Sequence, residues 1–284
     1  MKFLLFGAKG WIGKQLFELL KLVPENEIIT SDIRVDNYNE IEKFIIENKP
    51  DRIISVIGRT YGDNMNSIDY LEKKGNLKIN INDNLYSPLN LAFICNKYNI
   101  HFTYMGTGCI FNGYEKEYTE EDTPDFFGSS YSIVKGFTDR IIKNFDNVLN
   151  VRIRMPITND INCNRNFINK IITYEKICSM NNSMTVLPDL LPLLIDMIIK
   201  KEIGTINLVN PGYISHNEIL ELYKEHIKSD FKWENMTIDE QNQLLLSERS
   251  NNILNTSKLQ QLYPAVKDIK TSIKDLFISI LTFK

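Results

Sequence analysis

The chain has 284 residues, with 33 basic against 36 acidic side chains, a net charge of −3 and 43% hydrophobic residues. That length supports a full buried core, which excludes a small disulfide-stapled module, and a near-neutral chain without a basic run excludes nucleic-acid and anionic-membrane partners. No stretch reaches the ~18 apolar residues a membrane span needs. Cys95, Cys109, Cys163 and Cys178 contain no C-x-x-C pair, and with only three histidines they argue against a metal centre or disulfide framework and for thiols in a reducing cytoplasm.

The first apolar run, Lys2-Phe3-Leu4-Leu5-Phe6, is followed within a few residues by a glycine and lysines, so it reads as a buried first strand rather than a signal peptide. Apolar runs and amphipathic stretches then alternate at 11–22, 27–30, 41–48, 52–57, 85–98, 101–105, 131–145 and 148–154. Such alternation predicts a parallel sheet covered by helices on both faces, joined by right-handed crossovers. After Met155-Pro156 the pattern changes: 159–169 is polar, a helix starts through prolines at Leu187, a strand covers 204–209, and helices follow at 216–226, 238–246 and 257–263. The expectation is an α/β, Rossmann-type doubly wound sheet over 1–157. A smaller lobe over 158–284 packs directly on it and returns some segments to the sheet.

Gly7-Ala8-Lys9-Gly10-Trp11-Ile12-Gly13 closes the first strand and opens a helix, the context that makes a glycine motif informative. Gly7 permits a tight turn, Gly10 a close approach of backbone to a pyrophosphate, and Gly13 close packing of helix on strand. The anion sits on the helix N-terminus. The second strand ends Ser31-Asp32-Ile33-Arg34, where two cues disagree. Asp32 suits the ribose 2′-hydroxyl of NAD and Arg34 the 2′-phosphate of NADP. No helical acid is evident as a partner for Arg34, so NADP(H) is favoured, with NADH the alternative and Asp36 a weaker candidate near the adenine.

Tyr131-Ser132-Ile133-Val134-Lys135 places Tyr and Lys on one helical face. A protonated lysine there lowers the phenol's pKa and holds a cofactor ribose, leaving Tyr131 able to exchange a proton with a substrate oxygen. Thr107, in Met105-Gly106-Thr107-Gly108-Cys109, offers a hydroxyl to share that oxygen.

These residues resemble the extended short-chain dehydrogenase/reductase superfamily: a glycine motif, a Ser/Thr after strand four, and Y-x-x-x-K. Within it the chain is similar to the dehydrorhamnose reductases and, more closely, to the bifunctional 3,5-epimerase/4-reductases that make UDP-L-rhamnose. That likeness is carried by Gly10-Trp-Ile-Gly13, Thr107-Gly-Cys-Ile-Phe111, Val151-Arg-Ile-Arg-Met-Pro-Ile157, Arg165-Asn-Phe-Ile168, Tyr174-Glu-Lys176, Asn182-Ser-Met-Thr185 and Arg249-Ser-Asn-Asn252. Asp32 departs from it, standing where a small residue is expected.

The resemblance implies a cytoplasmic homodimer, with the Tyr131 helix as the dimer face by analogy. It also implies a UDP-sugar substrate, and a nicotinamide cofactor near Trp11, Ile12, Gly58 and Pro156, with Arg59 facing pyrophosphate or substrate. UDP-4-keto-6-deoxy-glucose must be inverted at C3 and C5 before hydride reaches C4. The C4 ketone acidifies both neighbouring C–H bonds, so each inversion needs one base and one acid on opposite faces.

Cys109, two residues after Thr107, points to the same side and is the first candidate. The second is Lys170, which shares a helical face with the sugar-lining candidate Asn166, and the weaker rival is Lys176. Arg249 suits the nucleotide-sugar phosphates as a bidentate grip. Two alternatives stand: a reductase alone, acting on dTDP- or UDP-4-keto-rhamnose, and a non-catalytic NADP-binding regulatory subunit.

Overall fold

A computed structural model describes residues 1–282. Six parallel strands form the central sheet: β1 (Lys2–Phe6), β2 (Glu27–Thr30), β3 (Arg52–Ser55), β4 (His101–Thr107), β5 (Val148–Ile153) and β6 (Gly204–Asn207), in the order β2-β1-β3-β4-β5-β6. Both faces are covered, so the inner strands read as continuous apolar runs; β1 buries Phe3, Leu4, Leu5 and Phe6 together. One face packs under α1 (Trp11–Lys21) through Leu16 and Leu20, and under the proline-entered helix Leu187–Lys200. The other carries α2 (Tyr38–Asn48), α3 (Ser87–Lys97) and α4 (Ser130–Ile142). The strand order reverses between β2-β1 and β3, which opens a crevice beyond the carboxyl ends of β1 and β3.

A separate apolar core, with Ile157, Ile168, Met184, Ile219 and Phe277, belongs to residues after 155. Helix α5 (Phe167–Thr173) packs there on the helix His216–His226, whose Ser215–Glu218 capping box fixes its start. Helix Ile269–Thr282, beyond the helices expected from sequence, closes this lobe. The strand expected at 204–209 ends at Asn207; Leu208 still donates its backbone N–H to Arg152 of β5, and Asn210 donates its own to Met184 in the second lobe.

One irregularity bears on the crevice. Leu77–Ile81 runs into α3 through a π-helical turn, Asn82–Tyr86. Pro88 has no N–H to donate to the carbonyl of Asn84, and the Thr138 hydroxyl of α4 takes that carbonyl instead at 2.7 Å. The turn puts Asp83 on the crevice wall and buries Asn84 behind it. Asn84 accepts the backbone N–H of Arg59 at 3.0 Å and donates to its carbonyl at 2.9 Å.

Candidate active site

A cavity of about 690 Å³ runs from the β1–α1 turn to the start of the second lobe. At its base Gly7 has φ +84°, and a Cβ on Gly13 would stand 2.1 Å from the Gly7 carbonyl oxygen, so both positions require glycine. Helix α1 starts behind Gly10 with no side-chain cap, leaving its first N–H groups to the cavity. Trp11, Ile12, Gly58 and Pro156 line the same wall.

At the other end stand Thr107, Cys109, Tyr131, Lys135 and Lys170. Strand β4 ends at Thr107, so Cys109 lies in the turn that follows rather than on the strand, with its N–H donating to the Thr107 hydroxyl at 3.1 Å. Ser129 caps α4 by accepting from the N–H of Ser132, and the Ser132 hydroxyl donates to the carbonyl of Cys109 at 2.7 Å. The helix bearing Tyr131 thus holds the turn bearing the thiol.

Burial pushes the Tyr131 phenol above its ordinary range and nearby Cys109 adds to this, while a hydrogen bond with Thr107 pulls it back. Lys135 does not sit against Tyr131. Its ammonium donates to the hydroxyl of Tyr104, lies over that ring, and reaches the Met105 carbonyl at 3.4 Å. Burial brings Lys135 down to about 7 against the opposing charges of Asp139 and Cys109. Lys170 donates to the Asn66 carbonyl at 2.9 Å and is brought down to about 8, by burial first and then by Arg165 and Arg249. Both amines can therefore lose a proton near neutrality.

Residues 1–171 match the family described as RmlD substrate binding domain. The chain belongs to that family. The crystal structure of the L780 UDP-rhamnose synthase from Acanthamoeba polyphaga mimivirus is similar over 98% of each chain, with 52% identity and a TM-score of 0.95. A bifunctional dTDP-4-dehydrorhamnose 3,5-epimerase/dTDP-4-dehydrorhamnose reductase of Arabidopsis thaliana is 38% identical over 279 residues, 95% of this chain and 90% of that protein. A trifunctional UDP-glucose 4,6-dehydratase/UDP-4-keto-6-deoxy-D-glucose 3,5-epimerase/UDP-4-keto-L-rhamnose-reductase of the same plant is 37% identical over 283 residues. This chain spans 41% of that longer relative.

Several residues expected at the site of this RmlD-family chain are placed elsewhere. Asn166 is fully buried and does not line the cavity; its side chain accepts the N–H of Ile168 at the start of α5 and donates to the carbonyls of Thr158 and Asp160. It is the cap that fixes where Phe167 and Lys170 stand. Arg249 also lies outside the cavity wall, because its guanidinium is committed to buried Asp69 and to Ser247. Lys176 is exposed on a two-residue ladder with Glu234.

At the adenosine end, Asp32 is exposed and paired with Lys9 at 2.7 Å. Arg34 does have helical company: Asp83, on the π-helical turn, accepts from it at 2.9 Å and from Arg59 at 2.9 Å, and Asp36 accepts from it at 3.0 Å. The hydrogen bond to Asp36 leads in raising the Arg34 pKa.

In the sequence Arg165 stands out only as part of the motif Arg165-Asn-Phe-Ile168. In the structure it is a cavity cation, lying 3.9 Å over the Tyr61 ring and donating to the Thr60 hydroxyl at 2.6 Å. Its place on the motif 165–168 was the available signal. Tyr104 and Asp83 carried none, since each acts through contacts made across separate elements. No helix among the described residues is long and apolar enough to cross a membrane, and no group of three or more His, Cys, Asp or Glu among them is arranged to hold a metal ion.

Proposed function

We propose that the protein converts UDP-4-keto-6-deoxy-D-glucose to UDP-L-rhamnose, by inversion at C3 and C5 followed by reduction at C4. The observation that carries it is one cavity holding Tyr131 and Thr107, suited to a ketone oxygen, together with Cys109 and Lys170, two further groups able to exchange protons. The sequence and fold likeness to the mimivirus UDP-rhamnose synthase supports the same reading.

The glycine turn, where an added Cβ would fill the space, and the open N-terminus of α1 fit a nicotinamide dinucleotide. When bound, that cofactor supplies the hydride for C4. Gly7, Gly10, Trp11, Ile12 and Gly13 would hold its pyrophosphate half, Gly58 and Pro156 would flank it, and Asp32 or Arg34 would meet the adenosine ribose. Tyr131 donates the proton that the C4 oxygen needs, Thr107 orients that oxygen, and Lys135, one turn along the same helix, would hold the cofactor ribose. During each inversion the same two hydroxyls bind the enolate oxygen, while Cys109 and Lys170 work as the base and acid on opposite faces. Among the cavity guanidiniums, Arg165 would meet the anionic diphosphate, and Arg59 would do so in exchange for its pairing with Asp83.

Incubation with UDP-4-keto-6-deoxy-D-glucose and NADPH in deuterated buffer is expected to consume cofactor and give UDP-L-rhamnose labelled at C3 and C5; no turnover of that substrate would sink the proposal. Cys109→Ala separates it from a reductase alone. The variant is expected to lose deuterium entry while still reducing already epimerised UDP-4-keto-rhamnose. Lys170→Met and Lys176→Met in the same assay identify the second group, with loss expected at Lys170.

NADPH is the favoured cofactor, yet Arg34 is already shared between two carboxylates. Asp83→Asn removes one of them, and the ratio of kcat/KM for NADPH over NADH is expected to rise about five- to tenfold, through the NADPH value alone. For assembly we propose a homodimer across the adjacent helices α3 and α4, which leave Phe93, Phe137 and Ile141 exposed. Light scattering on the purified protein checks it; a monomer mass at micromolar concentration rejects it.

A further inference from the structure

Two arginines follow one another on alternate positions at the end of β5, and they are treated differently. Arg152 is matched by Asp139 in a buried bidentate pair, Nη2 to Oδ2 at 2.7 Å and Nε to Oδ1 at 2.9 Å. Arg154, 1% exposed, has no such partner. Its Nη1 donates to the carbonyl of Gly108 at 2.9 Å and to the Ser250 hydroxyl at 3.0 Å; Nη2 donates to the Asn182 side chain and the Ser250 carbonyl; Nε has no acceptor. All of these acceptors are neutral, and among the described residues no carboxylate lies within ion-pair distance of it. A guanidinium buried without a counter-charge is costly and calls for an anion that appears only in use.

The titratable groups facing Arg154 narrow the choice to one. Tyr114 is half-exposed, donates to the Asn181 carbonyl, and is pushed up by burial. His216 is pushed down to about 4 by burial and by Arg154 itself, and accepts the N–H of Met180. That leaves Cys109, adjacent to the carbonyl that Arg154 grips and itself facing Lys135, Tyr131 and Thr107.

We propose that Arg154 is a positioning residue that supplies the counter-charge for the Cys109 thiolate, and so serves the inversions at C3 and C5 rather than the reduction at C4. This rests on Cys109 acting in proton exchange, as proposed above. In that step the thiolate electron pair takes the C–H proton and an S–H bond forms. The C–H pair passes into the enolate, whose charge rests on the C4 oxygen. A proton returned to the opposite face restores the ketone. Arg154 touches neither substrate nor cofactor; it acts through the Gly108 carbonyl and through its field on the sulfur.

The test compares Arg154→Gln, which keeps hydrogen bonding without charge, with Arg154→Lys, which keeps the charge. Iodoacetamide labelling of Cys109, read peptide by peptide, is expected to slow about tenfold at pH 7 in the Gln variant, to recover in the Lys variant, and to converge at pH 10, above the ordinary thiol range. Deuterium entry at C3 and C5 is expected to fall about tenfold in the Gln variant, with reduction of already epimerised substrate changed less than threefold. Equal loss in both halves, or labelling at pH 7 unchanged by loss of the charge, overturns the proposal. If the Gln variant does not fold, Arg154→Met carries the same expectation. The labelling arm reads the influence of Arg154 on Cys109 even if Cys109→Ala keeps its deuterium exchange, which would remove the catalytic role of the thiol and leave that influence standing.

Discussion

Tyr131→Phe is expected to lower kcat for ketone reduction by about 10³-fold, the scale of a lost general acid, and to slow deuterium entry at C3 and C5 by a comparable factor. The reason for the double loss is that negative charge develops on the C4 oxygen in both halves: as an enolate during inversion and as an alkoxide during reduction. The phenol faces that oxygen alongside the Thr107 hydroxyl, with which it shares a hydrogen bond. Cys109→Ala should lose only the first half. Stopped-flow absorbance at 340 nm and mass analysis of the recovered substrate measure the two separately. A Tyr131→Phe enzyme that exchanges deuterium normally would place the enolate oxygen away from this hydroxyl. Phenylalanine fills the same buried space, so melting temperature should stay within a few degrees.

Arg152→Met is expected to destabilise the fold by about 3–5 kcal/mol, because it strands a buried carboxylate. Asp139 is fully enclosed; it accepts two bonds from Arg152 and one from Asn150 at 2.8 Å. Removing the guanidinium leaves a charge that must be neutralised or hydrated. For a chain of this size, a few kelvin of melting temperature correspond to each kcal/mol, so a drop of about 10 °C is the expected calorimetric result. The paired change Arg152→Met with Asp139→Leu should recover most of it, since no lone charge remains. A single variant that melts like the parent would show that water reaches Asp139.

Much of the site could be read in sequence where its chemistry is local. The Gly7–Gly13 turn encodes its own geometry, and Tyr131 and Lys135 share a face because helices repeat every 3.6 residues. The alternation through residue 155 likewise follows from short apolar strands and amphipathic helices. What could not be read depends on which side chains the packing brings together.

Lys135 meets Tyr104, 31 positions away on β4. Arg249 meets Asp69, 180 positions away, and is thereby withdrawn from the phosphates it was expected to grip. Asn166 and Lys170 do share one stretch of chain, but Asn166 is consumed in capping the helix that presents Lys170. Each charge was visible in sequence; its partner was not, and the partner decides whether a cation is available.

The π-helical turn at Asn82–Tyr86 carries a consequence for how this chain tolerates change. Removing a single residue there would restore uninterrupted α-helical repeat from Leu77 into α3 and swing whatever follows by about 100° around the axis. Arg59 would lose the amide that clamps its backbone, Arg34 and Arg59 would lose their common carboxylate, and Thr138 would lose the carbonyl it fills. One surplus residue, stabilised by a proline and a neighbouring hydroxyl, therefore acts as a spacer that sets the phase of a whole helix against the crevice. Insertions and deletions in 77–88 should be far less acceptable than substitutions.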